Sequence, residues 1–223
     1  IQDSLLEDDV FYPILGYLIG TKCSTEQGSR IPIIEGLPTS VTEDQLKALG
    51  AAAASSGAVA LFHAVGVTPE APTLQDALQM QQPEAIIDLT MSDLVEARKH
   101  LSTVPDGPIC AVALGSPHFS VDECDALLSL AEGALSPNTL AEAGVEFVVC
   151  TNRFVLDALH QRGWYTRLTD LGIRIVVDTC VVVTPIVRAR SGTLMTNSGK
   201  FAHYTPGNIG LDVLYGSLRE CVE

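Results

Sequence analysis

Residues that can carry protons, bind anions and ligate metals follow one another within a short part of the chain, residues 173–206. The apolar run Ile173–Val177 predicts a buried strand, and Asp178-Thr179-Cys180 comes directly after it. Further along, Thr196-Asn-Ser-Gly-Lys200 brings hydroxyls and an amine, and His203 adds an imidazole. In open α/β sheets, ligands bind beyond the carboxyl ends of the strands. We therefore predict that this part of the chain holds the functional site.

Polar side chains also follow three other apolar runs, each of which predicts a strand. Parallel strands bring their carboxyl ends to one edge of a sheet, so these side chains are expected to face one pocket. Each has an ordinary alternative, since a histidine can be a satisfied core residue and a serine can cap a helix. The three groups are His63 with Thr68 and Glu70, His118 with Ser120, and Thr151 with Asn152.

The cysteines and the lysine allow more than one interpretation. The thiol of Cys180 follows an acid and can be a nucleophile or a metal ligand. Cys221 lies near the end of the chain, and spacing alone does not pair it with Cys180. Lys200 lacks the frame of a phosphate-binding loop, yet a lysine beside hydroxyls and a helix N-terminus can bind a carboxylate. The alternative is a solvated lysine in a loop.

Composition limits the classes of function. The chain has 223 residues, 13 basic against 27 acidic, and a net charge of −14. Nucleic-acid binding needs a basic surface, so no nucleic-acid partner is expected. No apolar run approaches the roughly 20 residues of a membrane span, so no membrane partner is expected and a cytoplasmic location is predicted. The missing initiator methionine suggests a processed chain or a piece of a larger one.

Apolar runs and amphipathic segments alternate along the chain. Strand, polar loop and helix recur about five or six times, which predicts an α/β fold with three layers, a mainly parallel sheet with helices on both faces. We expect one α/β catalytic region over residues 1–223, divided into two lobes of about 1–135 and 136–223. A strand is predicted at 84–89, a loop or small ribbon at 187–210, and a last helix at 211–222.

Several segments, in order along nearly the whole chain, resemble the aconitase X family. The segments that carry this resemblance are Ile-Pro-Ile-Ile-Glu-Gly-Leu, Leu-Lys-Ala-Leu-Gly-Ala, Ala-Ser-Ser-Gly-Ala-Val-Ala-Leu-Phe-His, Gly-Val-Thr-Pro-Glu-Ala-Pro-Thr, Gly-Ser-Pro-His-Phe-Ser, Asp-Thr-Cys and Thr-Asn-Ser-Gly-Lys-Phe-Ala-His-Tyr. The resemblance implies an aconitase-like fold and a lyase of hydroxyproline metabolism that removes water from a hydroxy acid. The implied cofactor is an iron–sulfur cluster, [2Fe-2S] or [4Fe-4S].

The resemblance also implies roles for individual residues. Cys180 and Cys221 match the positions expected to ligate the cluster. Thr68, Ser198 and Lys200 are expected to bind the substrate. His63, Glu70 and His118 are expected to orient or protonate the leaving hydroxyl.

The substrate expected from the resemblance is cis-3-hydroxy-L-proline, which would give Δ1-pyrroline-2-carboxylate. Mevalonate 5-phosphate is the alternative substrate, and it would need further cations for its phosphate. A non-catalytic α/β module that binds a small molecule is the alternative of another class. The expected partners are the hydroxy acid, an N-terminal segment with a third cysteine, and a small swivelling domain or subunit that carries a serine base.

Overall fold

The structure, a computed structural model, describes residues 8–26 and 28–223. The chain forms two compact units, Ile1–Lys99 and His100–Glu223. The division therefore falls earlier than the lobe boundary near residue 135 that the sequence suggested. Each unit has its own packing.

The first unit is built around a pair of helices, α1 (Phe11–Cys23) and α2 (Glu43–Gly57). Their backbones approach so closely that a Cβ atom on Gly16 would lie 2.1 Å from the carbonyl oxygen of Leu49. A Cβ atom on Gly57 would lie 1.9 Å from the carbonyl oxygen of Gly20. Glycine lacks a Cβ atom, so these positions permit a close approach that any other residue would prevent.

The remaining elements of the first unit are short. They are β1 (Ser24–Thr25), β2 (Gly28–Ser29), β3 (Ile33–Ile34), β4 (His63–Ala64), α3 (Leu74–Ala77) and α4 (Met91–His100). Strands β1 and β2 pair antiparallel, and β3 pairs with β4 in parallel.

The apolar runs of the first unit form less strand than the sequence predicts. The apolar run at 58–65, one of the three that the sequence predicts as strands, is in a ladder only at His63 and Ala64. The predicted strand at 84–89 is wrong, because residues 82–90 have no regular secondary structure and are exposed. Ile86 is 82% exposed and Ile87 is 50% exposed, so the apolar side chains of this run form no buried core. Its pattern is typical of a strand, but a strand needs a neighbour to pair with.

The second unit contains a five-stranded parallel sheet with the order β7-β6-β5-β8-β9. Six helices and one irregular segment, residues 178–192, connect or follow the strands within the described part of this unit. The strands are β5 (Ile109–Leu114), β6 (Glu146–Thr151), β7 (Ile173–Val177), β8 (Thr193–Thr196) and β9 (Asp212–Tyr215). The helices are α5 (Val121–Ala134), α6 (Thr139–Ala143), α7 (Arg153–Gln161), α8 (Trp164–Asp170), α9 (Gly199–Asn208) and α10 (Leu218–Val222), of which α10 ends the chain.

Alternate residues of each strand point to opposite faces of the sheet, so two separate cores form. On the first face, Val112, Leu114 and Phe147 pack with the helices α5, α7, α8 and α10. On the second face, Ala113 and Val148 pack with α9 and with the irregular segment 178–192, whose Val181, Val182, Ile186 and Val187 are buried. The predicted α/β fold, a mainly parallel sheet covered on both faces, is confirmed.

Two predictions about the last part of the chain are wrong. Residues 187–210 are not a loop or ribbon, because they contain β8, which pairs with the central strand β5, and the helix α9. Residues 211–222 are not one helix, because β9 comes first and α10 starts only at Leu218. Both β8 (Thr-Leu-Met-Thr) and β9 (Asp-Val-Leu-Tyr) have only four residues and carry a weak apolar pattern, which explains both errors. Within the described part of the chain, no helix has the length and apolar character to span a membrane.

Candidate active site

The carboxyl ends of the five parallel strands meet at one edge of the second unit, where the loops after β5, β6, β7 and β8 lie side by side. The loop after β5 is fixed to β6. Gly115 has φ +88°, and a Cβ atom there would lie 2.0 Å from the carbonyl oxygen of Cys150. That same oxygen accepts a hydrogen bond of 3.0 Å from the Phe119 amide, and Thr151 Oγ1 donates to the Phe119 carbonyl at 2.6 Å. His118 is therefore carried by a short, firmly held loop.

Ser198 joins the loop after β8 to the loop after β5. Its hydroxyl donates to the carbonyl oxygen of Ser116 and accepts a 3.1 Å hydrogen bond from the Phe201 amide, which caps α9. Thr196 Oγ1 donates to the Ala113 carbonyl at 2.6 Å, a second link between the same two strand ends. The sequence assigned Ser198 to substrate binding. The structure gives its hydroxyl two partners within the protein, so its visible role is to fix the N-terminus of α9.

Lys200 occupies the first turn of α9, two residues after its N-cap Ser198. The side chain is half-buried, and no ion pair involves it among the described residues. A helix N-terminus carries partial positive charge and unsatisfied N–H groups, so a cation there reinforces an anion site. This corner of the edge can hold a carboxylate.

His118 contacts the loop that follows β7. Its Nε2 atom lies 3.1 Å from the carbonyl oxygen of Thr179. The same loop carries Cys180, which is partly exposed and packs against the core of the second face. The structure thus brings His118 and Cys180 onto adjoining loops, and both loops end at the same edge as Ser198.

Asp178 and Arg153 form an ion pair at this edge, with 2.6 Å between Arg153 Nη2 and Asp178 Oδ2. The hydrogen bond from the Arg153 side chain holds the pKa of Asp178 below its usual value, and the nearby His118 acts in the same direction. The sequence placed Asp178 after a strand but did not join it to Arg153. A positive residue after one strand and an acid after its neighbour are the only signals that were available for this pair.

Cys180 and Cys221 lie on opposite faces of the sheet. Cys221, on α10, is 4% exposed and belongs to the core of the first face, whereas Cys180 packs against the core of the second face. No group of three or more His, Cys, Asp or Glu residues within 8–26 and 28–223 is arranged to hold a metal ion. An iron–sulfur cluster held by both thiolates does not fit this arrangement.

The neighbouring thiol of Cys150 is no better suited to ligate a metal. It is completely buried in β6, and this burial raises its pKa to about 12. A metal ligand must be a thiolate, which burial in an apolar core disfavours. Cys180 is therefore the candidate thiolate of this edge.

The other predicted site residues belong to the first unit. His63 lies on β4, and its Nδ1 atom is buried without a hydrogen-bond partner among the residues that the structure describes. The Thr68 hydroxyl contacts the backbone of Ala64, accepting from its N–H at 3.1 Å and donating to its carbonyl at 3.2 Å. Glu70 is exposed in the following turn. His63 and Thr68 therefore flank one tight turn, in which the threonine hydroxyl closes the backbone.

Sequence comparisons identify relatives of both units. The sequence model of the aconitase X second domain matches residues 1–99, and that of the aconitase X third domain matches residues 109–223. These two ranges agree with the division of the structure after Lys99.

Curated relatives are similar over nearly the whole chain. A cis-3-hydroxy-L-proline dehydratase of Hypocrea jecorina is 38% identical over 220 residues, which are 97% of this chain and 35% of that protein. One of Pseudomonas aeruginosa is 38% identical over 226 residues, 100% of this chain and 37% of that protein. The phosphomevalonate dehydratase large subunit of Methanosarcina mazei is 33% identical over 222 residues, 100% of this chain and 50% of that protein. The chain thus spans about a third to a half of the length of these relatives.

A solved structure is similar to this chain as well. The crystal structure of Thermococcus kodakaraensis aconitase X in its holo-form superimposes with a TM-score of 0.77 at 25% identity, covering 97% of this chain and 52% of that one. Together with the two domain matches, this similarity establishes that the chain belongs to the aconitase X family.

Proposed function

We propose that this chain is part of a hydro-lyase that removes water from cis-3-hydroxy-L-proline to give Δ1-pyrroline-2-carboxylate. The observation that carries the proposal is 38% identity to two cis-3-hydroxy-L-proline dehydratases along 97% and 100% of the chain. The carboxyl edge of the second unit supplies an imidazole and an anion site, the two kinds of group that this reaction needs.

The reaction breaks the bond between C2 and its hydrogen and the bond between C3 and its hydroxyl. The C2 hydrogen leaves as a proton, the electron pair forms a double bond between C2 and C3, and the hydroxyl departs with a proton as water. The resulting enamine loses the proton on its ring nitrogen and gains one at C3, so that the double bond moves to C2 and nitrogen and gives the imine. The chain must therefore bind the carboxylate and supply a proton to the hydroxyl.

Lys200 and the N-terminus of α9 are proposed to bind the carboxylate. The lysine is half-buried beside a helix start that Ser198 fixes in place. Ser198 is proposed to act through this capping, and Thr68 through its turn, since both hydroxyls are engaged with the backbone. Of these three residues, Lys200 is the one expected to contact the substrate.

His118 is proposed to donate the proton that leaves with the hydroxyl. An imidazole changes its charge near neutral pH, so it can give up a proton during turnover and regain it afterwards. His63 and Glu70 of the first unit stay predictions for the same task. The base that takes the C2 proton is proposed to lie in a small swivelling domain or subunit, and an N-terminal segment is proposed as a further partner.

The iron–sulfur cofactor also remains a proposal. Cys180 is proposed as the thiolate that this chain contributes, whereas Cys221 is buried in the opposite core and does not suit a shared cluster. When bound, iron would supply a Lewis acid for the leaving hydroxyl. Iron content and visible absorbance of the whole protein test the cofactor, with Cys180→Ser expected to lower both and Cys221→Ser expected to change neither. Location in the cytoplasm is likewise proposed.

The whole enzyme that contains this chain should release Δ1-pyrroline-2-carboxylate from cis-3-hydroxy-L-proline, detected by mass and by loss of the substrate. Lys200→Met is expected to raise KM by about tenfold or more, because an ion pair with the carboxylate is worth about 1.5–3 kcal/mol. Lys200→Arg, which keeps the charge, is the matched control and should lose less. Intact, iron-loaded enzyme that forms no pyrroline product would overturn this substrate assignment.

Dehydration of mevalonate 5-phosphate is the second candidate. Its support is similarity to phosphomevalonate dehydratase large subunits, 33% over 222 residues in Methanosarcina mazei and 38% over 208 residues in Methanothermobacter thermautotrophicus. That substrate carries a phosphate besides its carboxylate, and Arg153, the arginine of this edge, is already paired with Asp178. The charges of the edge therefore favour the amino acid, which carries one anionic group and no phosphate. Both substrates should be assayed side by side.

A further inference from the structure

The contact between His118 and Thr179 also determines which imidazole nitrogen carries the proton. A backbone carbonyl has no proton to donate, so the 3.1 Å contact with the Thr179 oxygen requires a proton on Nε2 of His118. In the neutral ring the lone pair then lies on Nδ1. The Thr179 carbonyl thus selects one of the two tautomers of a residue proposed to transfer a proton.

The position of that carbonyl depends on the residue before it. Asp178 has φ +58°, in the left-handed region that residues other than glycine rarely adopt, though aspartate does so more readily than most. Its N–H donates to the Thr151 carbonyl at 2.9 Å, which ties the turn to the end of β6. The peptide that carries the Thr179 oxygen therefore starts from an unusual but firmly held turn.

Arg153 holds the Asp178 side chain from the neighbouring loop. Its Nε atom donates to Oδ2 at 2.8 Å, and its backbone N–H donates to Oδ1 at 3.3 Å. Beyond Thr179 the turn closes with a 2.6 Å contact between the hydroxyls of Thr179 and Thr184. The carboxylate thus joins the start of α7 to the loop after β7, with the Thr179 carbonyl between these fixed points.

We infer that Asp178, held by Arg153, is a positioning residue for His118. It aims the Thr179 carbonyl at Nε2, so that the ring presents Nδ1 for proton transfer. Its importance for catalysis rests on the proposed function, whereas its effect on the tautomer does not. The competing explanation is an ordinary exposed ion pair, since the side chains of Arg153 and Asp178 are 72% and 37% exposed.

The tautomer can be read directly from the chain labelled with ¹⁵N-histidine. Long-range ¹H–¹⁵N spectra distinguish a protonated from an unprotonated ring nitrogen, and His118→Gln assigns the signals of His118 among the five histidines. We expect His118 to be protonated on Nε2 alone when it is neutral. The result that overturns the inference at this stage is a proton on Nδ1 instead.

Two variants then test the role of the carboxylate. Asp178→Ala should produce a mixture of both tautomers of His118, whereas Asp178→Asn, which keeps an oxygen acceptor and tolerates positive φ, should stay closer to the original. Because Asp178→Ala could unfold the turn, Arg153→Gln provides a second route, since it leaves Asp178 in place and removes only the group that holds it. A His118 signal unchanged in both Asp178→Ala and Arg153→Gln would overturn the inference.

A matched control is available in the same unit. Arg167 and Glu132 form another exposed ion pair, also with 2.6 Å between their closest atoms. Arg167→Gln should leave the His118 tautomer unchanged, which separates positioning from a general loss of surface charge.

In the whole enzyme, Asp178→Ala should lower kcat by about tenfold to a hundredfold with KM changed less than twofold, and Asp178→Asn should recover part of the loss. If the tautomer responds as expected but the whole enzyme dehydrates neither substrate, the proposed function is wrong while the positioning role stands. If the enzyme is active and the tautomer does not respond, the positioning role is wrong while the proposed function stands.

Discussion

The two units of this chain obtain their stability in different ways. The second unit is organised by strands of four to six residues, each hydrogen-bonded into one parallel sheet with an apolar core on either face. The first unit has strands of two residues, and its main contact is the glycine-lined approach of α1 to α2. A sheet buried on both faces tolerates many apolar sequences, whereas a close helix pair depends on a few positions where no side chain fits.

The second unit also has a position where no side chain fits, Gly115, at the edge where the candidate site lies. Gly115→Val should destabilise the second unit by about 4 kcal/mol or more, because it combines a disfavoured positive φ with a clash against backbone. The added Cβ atom would lie 2.0 Å from the Cys150 carbonyl oxygen, which cannot move without disturbing β6. Chemical denaturation followed by far-UV circular dichroism measures the loss.

Gly144→Ala is the control for this change. Gly144 also has positive φ, at +69°, but no atom of residues 8–26 and 28–223 lies within 4 Å of an added Cβ atom. It should cost about 1–2 kcal/mol, the conformational part alone. Equal losses in the two variants would show that the close approach to β6 is unimportant.

Apolar residues in the two units should also respond differently to truncation. Ile173→Ala should cost about 3 kcal/mol, since Ile173 on β7 is 1% exposed and its removal leaves a cavity. Ile86→Ala should change stability by less than about 0.5 kcal/mol, because Ile86 is 82% exposed. Thermal unfolding of the two variants beside the parent chain makes the measurement. A large loss in Ile86→Ala would mean that residues 84–89 pack against something after all.

Ile173 and Ile86 also illustrate how much of the fold could be predicted from the sequence. Ile173 and Ile86 both lie in short apolar runs with strand character, and only the first run has neighbouring strands. Local pattern therefore predicted β5, β6 and β7, where the pattern and the sheet agree. It could not predict that 84–89 lacks a partner, since pairing depends on distant parts of the chain.

For the candidate site, the sequence could predict only which residues directly follow a strand. Sequence order alone placed His118, Asp178 and Cys180 after strands, and the parallel sheet brings these strand ends to one edge. Which face Cys221 occupies depends on where α10 packs, and the sequence offers no local signal for that. The Asp178–Arg153 pair was missed for the same reason, because its members follow different strands.

The helix pair of the first unit supplies the next test. Gly57→Ala should cost about 2 kcal/mol, because the new methyl group would force α1 and α2 apart. Gly133→Ala on α5 is the matched control, since nothing lies within 4 Å of its added Cβ atom and alanine favours helix over glycine. Hydrogen exchange followed peptide by peptide should show faster exchange in α1 and α2 for Gly57→Ala only. If exchange in these helices stays unchanged, the glycine contact is not what holds them.

The smallest expected effect concerns acid stability in the first unit. Hydrogen bonds from Thr90, together with Lys22, lower the pKa of Asp93 from 3.8 to about 2. A carboxyl group whose folded pKa is depressed stabilises the fold above its unfolded pKa and loses that contribution as the pH falls through its folded pKa. The parent chain should therefore lose this contribution between pH 4 and 2, and Asp93→Asn should lack that part of the pH dependence. Denaturation at pH 5, 3 and 2 makes the comparison, with Asp170→Asn, at an exposed aspartate of the second unit, expected to follow the parent. If the pH profile of Asp93→Asn runs parallel to that of the parent chain, the cap formed by Thr90 and Asp93 adds no stability that depends on the charge of Asp93.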